Sequence, residues 1–301
     1  MPELPEVYTI VKYLQKNIKG EVFKSAWTDT PKIFGNKDNF QKLSSKIKGQ
    51  KIQSVSRVGK NILFNVSDGL TLLAHQKMSG HFLVGHWQQK KQMSIKTWIP
   101  DESELNERVK TALTDSSNRF IHVVFEFQSG KMLALSDMRK FARIELVETK
   151  NIYDSSRLSN LGPDWWDKPL TAKALFTKLQ TSKKYLKPFL LDQATAAGLG
   201  NIYADEALFR AGLSPLRRTT SLSLKDSAHL IAAIKKTLAL AIKSGGTSFS
   251  DYRQANGEKG TYQNHLKVYG RKGEKCLRCQ TELKSIKIGQ RSAVYCPHCQ
   301  K

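Results

Sequence analysis

Four cysteines near the C-terminus constrain the fold of this chain more than any other feature. Cys276, Cys279, Cys296 and Cys299 are its only cysteines, and they follow the pattern C-x2-C-x16-C-x2-C. Each C-x2-C pair can direct two thiolates at one tetrahedral centre, and the spacer is long enough for a β-hairpin. Two disulfides are the alternative, which a reducing compartment disfavours. The pattern therefore predicts one structural zinc ion with no open position for water.

The charge of the chain narrows the class of partner. The 301 residues include 49 Lys and Arg against 26 Asp and Glu, which gives a formal net charge of +23. Such an excess favours a polyanion, either nucleic acid or an anionic membrane surface. The sequence has no apolar run of membrane-spanning length and no signal-peptide pattern at its start, which disfavours the membrane. A well-solubilised surface without a partner is the other alternative. We expect a cytosolic protein that binds nucleic acid.

Local patterns separate a strand-rich part from a helix-rich part. Residues 1–150 alternate apolar and polar side chains around the turn signals Ser-Asp-Gly and Gln-Ser-Gly, after a predicted helix over residues 6–20. A polar stretch rich in Pro and Gly, residues 151–169, indicates a linker. Helical patterns fill most of residues 165–250.

We predict three domains from this organisation. They comprise a β-rich catalytic domain over residues 1–150, a helical domain over 151–265 and a zinc hairpin over 266–301. Residues 87–118 are charged and amphipathic, and residues 103–114 within them predict a helix.

One motif in the helical part suits a phosphate group. In GLGNIYADEALFRAG a glycine turn precedes a helix, with Asn201 at the expected N-cap and Gly212 at the expected C-cap. A tight turn at a helix N-terminus leaves backbone N–H groups pointing outward, where an anion binds. Alone, the motif is equally consistent with an ordinary turn between two helices.

Six short motifs follow one another along the chain. They are PELPEV at 2–7, RVGK at 57–60, HQKMSG at 75–80, DMRKF at 137–141, GLGNIYADEALF at 198–209 and GQRS at 289–292. In this order they resemble the formamidopyrimidine-DNA glycosylase family, bacterial base-excision enzymes that remove oxidised purines. The resemblance covers almost the whole chain except residues 87–118. It implies an α+β fold with an N-terminal β-sandwich-like domain and flanking helix, a helical helix–two-turn–helix domain and a zinc β-hairpin.

The resemblance also gives the start of the chain a chemical role. Pro2 matches the nucleophile of the family, and removal of Met1 makes its nitrogen a secondary amine. An α-amino group titrates near about 8, so a useful fraction is neutral at the pH of the cell. Glu3 is implied as the proton shuttle, Glu6 as a supporting residue and Lys60 as a catalytic lysine. Without the other motifs, PELPEV reads as a proline-rich start with a solvated acidic face.

Further residues are implied in DNA binding, because a lesion inside a duplex must be flipped out before it is excised. By resemblance, Met78 and Phe141 wedge into the base stack and Arg139 reads the cytosine left behind. The implied contacts along the DNA backbone are His75, Lys187, Asn201 and Arg291. For either apolar residue alone, core packing is the alternative. Two motifs depart from the family pattern, with Gln76-Lys77 in place of Leu-Gly and DMRKFA in place of DPRRFG.

The resemblance implies a bifunctional glycosylase and abasic-site lyase that acts on oxidised purines in double-stranded DNA. A monomer in the bacterial cytoplasm, associated with the nucleoid, is the matching expectation. One alternative is the endonuclease VIII type, which prefers oxidised pyrimidines. PELPEV and residues 250–276, part of which is implied to close over the flipped base, favour the purine type. A non-catalytic zinc-ribbon protein that only binds DNA is the second alternative.

Overall fold

The structure, a computed structural model, describes residues 1–92, 95–101, 103 and 107–301. The chain forms two compact units, one of residues 1–159 and 244–261 and the other of residues 160–243 and 262–301. The boundaries of these units differ from those of the three predicted domains, because residues 244–261, which follow the longest helix, belong to the first unit. The three-domain division therefore stays a prediction.

The first unit is rich in β-structure. Its helices are α1 (Leu4–Ile18), α2 (Lys37–Ile47) and α3 (Glu107–Leu113), and its strands are β1 (Phe23–Thr28), β2 (Ile52–Val58), β3 (Asn61–Val66), β4 (Leu70–His75), β5 (His81–Gly85), β6 (Trp87–Gln92), β7 (Ile95–Pro100), β8 (Ile121–Phe127), β9 (Met132–Ser136) and β10 (Arg143–Glu148). Two four-stranded sheets have the orders β1-β8-β9-β5 and β10-β4-β3-β2, and β6 pairs with β7 in a separate hairpin. Every one of these strand pairs is antiparallel.

One apolar core joins the two four-stranded sheets. The rings of Phe64 on β3 and Phe82 on β5 meet edge to face with their centroids 5.5 Å apart. Helix α1 adds Val7, Ile10 and Leu14 to the same core, from positions three and four residues apart on one helix face. The predicted β-sandwich with a flanking helix is confirmed.

The proline-rich start of the chain leads directly into α1. The helix begins at Leu4, two residues before the predicted range, with Pro5 in its first turn. A proline is tolerated there because its missing N–H would have no helical partner anyway. The Glu6 carboxylate accepts the N–H of Glu3 at 2.8 Å, which closes the helix start.

The predicted turns are confirmed, and some elements were missed. Residues 67–69 join β3 to β4 with positive φ at Asp68 and Gly69, and residues 128–131 join β8 to β9. Helix α2 and the hairpin of β6 and β7 were not predicted, because their polar residues obscure the pattern. Helix α3 falls inside the predicted stretch 103–114, of which residues 104–106 lie outside the described residues.

The second unit combines helices with a terminal hairpin. Its elements are α4 (Ala172–Gln180), α5 (Leu186–Leu191), α6 (Asn201–Ala211), α7 (Leu224–Lys243), β11 (Lys284–Ile288) and β12 (Arg291–Tyr295). Gly212 ends α6 in the left-handed conformation with φ of 71°, as predicted for a C-cap. Part of the predicted linker is packed, since Trp165 is buried. Within the described part of the chain, no helix has both the length and the apolarity needed to cross a bilayer.

Candidate functional site

The residues predicted to carry catalysis lie together at the start of the first unit. Pro2 is buried, and the side chains of Glu3, Glu6 and Lys60 are buried as well, although charged residues rarely are. All three charges act on the terminal amine of Met1. The pKa of this amine is lowered, mainly because burial disfavours its charged form; Lys60 lowers it further and the two carboxylates oppose the shift.

Glu6 is fixed from two sides. Its Oε2 accepts the N–H of Glu3 at 2.8 Å, and its Oε1 accepts the N–H of Thr247 at 2.7 Å. Gly246 approaches so closely, at φ of +84°, that a Cβ there would lie 2.8 Å from Oε1. Glu6 therefore holds the backbone of Glu3 against a segment that follows α7. Sequence reasoning missed Gly246 and Thr247, since they lie about 240 residues away along the chain.

Lys60 occupies the turn between β2 and β3. The register pairs Val58 with Asn61, so Gly59 and Lys60 form a two-residue turn, with φ of 58° at Gly59. Arg57 donates to the carbonyl of Gly59 at 2.9 Å and steadies the turn. At 7% exposure, Lys60 is not the solvated edge-strand lysine that its motif alone would permit.

Two turns that carry predicted DNA contacts are tied together by Ser79. Its hydroxyl donates to Asp137 Oδ1 at 2.5 Å and accepts the N–H of Arg139 at 3.0 Å. The other oxygen of Asp137 accepts the N–H of Ala142 at 2.8 Å. HQKMSG and DMRKF, sixty residues apart in sequence, thus form one structure at the ends of β4 and β9.

Large apolar side chains stand exposed on these two turns. Met78 is 40% exposed and Phe141 is 44% exposed, so ordinary core packing does not explain either. Met138, at 48% exposure, was missed as a third member, and the signal was Met in place of the usual Pro. The guanidinium of Arg139 lies 4.7 Å from the ring centroid of Phe141. An exposed apolar cluster beside an arginine suits insertion into a base stack.

His75 and Gln76 precede the turn that carries Met78. His75 Nδ1 accepts the N–H of Lys77 at 2.9 Å, so the neutral ring carries its proton on Nε2. Burial lowers the pKa of His75 to about 3, and the neighbouring cations Lys77 and Lys60 add to the shift. His75 thus offers an N–H donor rather than a positive charge. Gln76 is 2% exposed, and in the part of the chain that the structure describes neither its amide oxygen nor its amide nitrogen has a hydrogen-bond partner.

Lys187 is placed differently from the sequence-based expectation. Its Nζ lies 2.7 Å from Asp205 Oδ1, with both side chains 1% exposed, and it also donates to the carbonyl of Ser292. A buried ammonium with these partners ties α5 and α6 to β12. A phosphate contact by Lys187 therefore stays a prediction that its geometry does not favour.

The first turn of α6 also differs from the expected cap. Gly200 is the N-cap, and Asn201 is the first residue of the helix. Among the described residues, the buried Asn201 Oδ1 has no hydrogen-bond partner. This oxygen is an acceptor, whereas a phosphate needs an N–H donor, so a phosphate contact by Asn201 stays a prediction.

Two acids of α6, Asp205 and Glu206, bind the backbone of the C-terminal segment that contains the four cysteines. Glu206 accepts the N–H groups of Lys267, Val268 and Tyr269 at 2.9–3.0 Å. Asp205 Oδ2 accepts the N–H of Val294 at 3.1 Å. Burial raises the pKa of Asp205 to about 6 even though Lys187 opposes the shift.

The four cysteines form the predicted metal centre. Their sulfur atoms all lie within 4.8 Å of one another. The pairs Cys276–Cys299 and Cys279–Cys296 are 4.0 and 3.4 Å apart, too far for disulfides of about 2.05 Å. Tetrahedral zinc, with Zn–S bonds of about 2.3 Å, needs sulfurs at about this separation. One structural zinc ion fits the four thiolates.

Arg291 lies at the tip of the zinc hairpin. It pairs with Ile288 across Gly289 and Gln290, and its side chain is exposed. The hairpin packs in an apolar cluster that includes the buried residues Phe209, Leu283 and Val294. A rigid, metal-supported tip therefore presents one arginine to solvent.

This architecture matches that of known protein families. Three family profiles match: "Formamidopyrimidine-DNA glycosylase N-terminal domain" at residues 1–144, "Formamidopyrimidine-DNA glycosylase H2TH domain" at 161–253 and "Zinc finger found in FPG and IleRS" at 273–301. This chain belongs to the formamidopyrimidine-DNA glycosylase family. The predicted family and its enzyme class are confirmed.

Relatives in the formamidopyrimidine-DNA glycosylase family match the chain over its whole length. The protein of Desulfitobacterium hafniense (strain DSM 10664 / DCB-2) is 37% identical over 303 residues and covers 100% of both chains. That of Lactiplantibacillus plantarum is 36% identical and covers 99% of this chain and 98% of its own.

Solved structures of the family agree with the fold. Lactococcus lactis Fpg in complex with abasic-site DNA has a TM-score of 0.83 and 32% identity, with 100% of both chains covered. MutM in complex with DNA containing carbocyclic 8-oxo-G has a TM-score of 0.82 and 31% identity, again with 100% of both chains covered.

Proposed function

We propose that this chain excises oxidised purines, 8-oxoguanine and formamidopyrimidines, from double-stranded DNA and then cleaves the strand at the abasic site. One observation carries the proposal: Pro2, Glu3, Glu6 and Lys60 are buried together around the amine that begins the chain. The relatives solved with abasic-site and 8-oxo-G DNA support damaged DNA as the partner.

The first step uses the nitrogen of Pro2 after removal of Met1. Its lone pair forms a bond to C1′ while the bond from C1′ to the base breaks, and the base leaves with the bonding pair and takes a proton from solvent. The Glu3 carboxylate accepts the proton that the proline nitrogen loses and delivers it to O4′ as the sugar ring opens. The product is an iminium between Pro2 and C1′.

The iminium then drives strand cleavage. It acidifies the hydrogen on C2′, and loss of that proton expels the 3′ phosphate; a second elimination expels the 5′ phosphate. The ammonium of Lys60 stabilises the negative charge that develops in these steps. Burial favours a neutral amine in this environment, since it lowers the pKa of the terminal amine of Met1.

DNA contacts come from residues of both units. In the first unit, Met78 and Phe141 fill the gap left by the flipped nucleotide, and Arg139 meets the opposite cytosine. In the second unit, Asn201 and Arg291 bind phosphates, which position the duplex without reading its sequence.

Borohydride trapping tests the proposal. A duplex with 8-oxoguanine opposite cytosine is incubated with the enzyme and borohydride, which reduces an iminium to a stable bond, and the crosslinked peptide is mapped. We expect the crosslink at Pro2, its loss in Pro2→Gly, and its retention in Pro5→Ala, which alters the neighbouring proline of the same motif. Tight binding without a crosslink would contradict the proposal and support the DNA-binding alternative.

Oxidised pyrimidines are the second candidate substrate class. A specific observation favours testing them, since Lactococcus lactis Fpg has been solved with DNA containing an oxidised pyrimidine. Release of 8-oxoguanine and of an oxidised pyrimidine is compared in matched duplexes under single-turnover conditions. We expect faster release of the purine, and faster release of the pyrimidine would assign the endonuclease VIII specificity instead.

A further inference from the structure

Residues 107–118, which we call the brace, hold a loop of the first unit. The brace comprises α3 and the turn that follows it, and the loop comprises residues 250–258. The buried Arg253 donates through Nη2 to Asp115 Oδ1 at 2.8 Å and to Ser117 Oγ at 2.9 Å. Through Nη1 it donates to the carbonyls of Ser250 and Tyr252, at 2.7 and 2.9 Å. One side chain thus orders the loop and ties it to the brace.

Asn118 adds a second buried link. Its Nδ2 donates to the carbonyl of Ala112 at 2.7 Å and to that of Gly257 at 3.4 Å. Its Oδ1 lies 2.7 Å from Nε2 of the buried His81 on β5. The brace, the loop and the sheet therefore meet at one amide.

The loop backbone also packs directly on α3. A Cβ at Gly257 would lie 2.9 Å from the carbonyl carbon and oxygen of Ala112 and 3.1 Å from the nitrogen of Leu113. Contacts this short mean that a side chain at Gly257 would push the loop and α3 apart. An exposed ion pair, Arg108 to Glu258 at 2.6 Å, adds little, because 81% of the arginine side chain is in solvent.

The loop and the residues just before it contact the candidate catalytic residues. Thr247 donates to Glu6, and the buried Tyr252 hydroxyl lies 3.4 Å from the Glu6 carbonyl oxygen. The charge of Asp251 acts on the terminal amine. The braced loop thus lies beside the proposed nucleophile.

A cavity of about 190 Å³ opens where these parts meet. Its lining includes Ser116 and Ser117 of the brace and Asp251 of the loop. It also includes Ser79 and Met138, from the two turns that carry Met78 and Arg139. The brace, the loop and the turns that carry Met78 and Arg139 therefore all line one cavity.

We propose that the brace is a positioning element of base excision: Asp115 and Asn118 fix the loop so that it forms one wall of the site for the damaged base. This inference rests on the proposed function and adds to it a residue set outside the family motifs. A loop held by buried links sets the angle at which the base meets the nucleophile, and a displacement of about 1 Å can reduce a rate by about 100-fold. An abasic site has no base, so its cleavage does not depend on this wall.

Two glycine substitutions test the proposal as a matched pair. Gly257→Ala and Gly130→Ala introduce the same side chain at φ of +85° and +86°. Only the first meets α3, because no described residue other than its chain neighbours lies within 4 Å of a Cβ at Gly130. Single-turnover excision of 8-oxoguanine is measured beside cleavage of a preformed abasic site in the same duplex. Asp115→Asn removes the negative charge that accepts a hydrogen bond from Arg253. Arg108→Gln, which removes one charge from the exposed ion pair with Glu258, is the control for it.

We expect Gly257→Ala to slow base excision by about 10- to 100-fold and to leave abasic-site cleavage within about twofold of wild type. Asp115→Asn should shift the same ratio in the same direction by a smaller factor, and neither control should shift it. Unchanged excision in Gly257→Ala, or an equal loss of both reactions, would overturn the inference. A wild-type enzyme that cleaves neither duplex would overturn the proposed function itself, which separates the two failures.

Discussion

Each unit of this protein buries a glutamate whose carboxylate holds a segment distant in sequence, yet the two glutamates serve different ends. Glu206 accepts three consecutive backbone N–H groups of the segment leading to the zinc hairpin. Glu6 accepts one N–H from its own helix start and one from Thr247. The acid beside Glu206, Asp205, pairs with a buried lysine and a strand amide, whereas Glu3, near Glu6, adjoins the terminal amine.

This difference teaches how a buried acid should be interpreted. Burial and hydrogen bonds alone do not distinguish structural acids from catalytic ones, since both pairs have both. The neighbours decide: the acids of α6 bind backbone amides and a lysine, while those of the first unit lie around the terminal amine. We therefore expect the two pairs to fail in different ways when they are altered.

Removal of zinc should have the largest effect, and it should be confined to the second unit. Structural zinc sites contribute about 10–16 kcal/mol of apparent binding free energy. After chelation, the amides of Val268, Tyr269 and Val294 should lose protection from hydrogen exchange, while the Thr247 amide keeps it. Persistent protection of Val294 in the zinc-free protein would contradict a structural role for the metal.

Glu3→Gln should next separate the two acid pairs. The side chain keeps its size but cannot shuttle a proton, so saturating single-turnover excision should fall by about 10²–10⁴-fold while duplex affinity is unchanged. Glu206→Gln should show the reverse pattern, with a free energy of unfolding lower by about 2–3 kcal/mol and an unchanged excision rate for bound duplex. Equal losses of rate in both variants would remove the distinction.

Acid should affect the first unit through His75. Its pKa is about 3 in the folded protein, against 6.5 for an ordinary histidine, so below pH 6.5 the unfolded chain binds a proton that the folded chain does not. Stability contributed by the neutral ring is present above pH 6.5 and is lost as the pH falls toward 3. Between pH 7.5 and 5.0 this loss is up to about 2 kcal/mol.

His75→Gln should therefore flatten the dependence of the unfolding free energy on pH, as measured by urea titration at both pH values. His86→Gln, at an exposed histidine of the same unit, is the control and should keep the wild-type slope. An unaltered slope in His75→Gln would show that the ring protonates equally in both states.

Arg291→Ala should have the smallest effect, on affinity alone. Loss of one phosphate contact should weaken binding to damaged and undamaged duplexes alike, by about 10-fold, and reduce the salt slope by about 1. Lys284→Ala, at the far end of the same hairpin, should change the slope less. A loss of affinity limited to damaged DNA would contradict a phosphate contact.

Much of the architecture was accessible from the sequence because it depends on local rules. The C-x2-C pairs, the turn at residues 67–69 and the C-cap at Gly212 each follow from a short pattern with one physical cause. Motif order supplied the family and grouped Pro2, Glu3, Glu6 and Lys60, which the structure brings together.

The sequence was least informative where contacts join distant residues. Lys187 matches a motif for a phosphate contact, but only the fold reveals that Asp205 and Ser292 surround it. The hydrogen bond of Glu6 with Thr247 and that of Asp115 with Arg253 likewise join residues more than a hundred positions apart, where no periodic pattern signals a contact. Gln76 was noted as a departure, but its burial was not predicted.

The return of residues 244–261 to the first unit has a consequence for the order of synthesis. The chain leaves the first unit after residue 159, builds four helices of the second, and only then supplies the strip that includes Thr247. A nascent chain emerging from the ribosome can fold both sheets and α1 early, but Glu6 lacks its Thr247 partner until most of the second unit has been translated. The proposed catalytic residues at the start of the chain, although translated first, are therefore among the last parts to be completed.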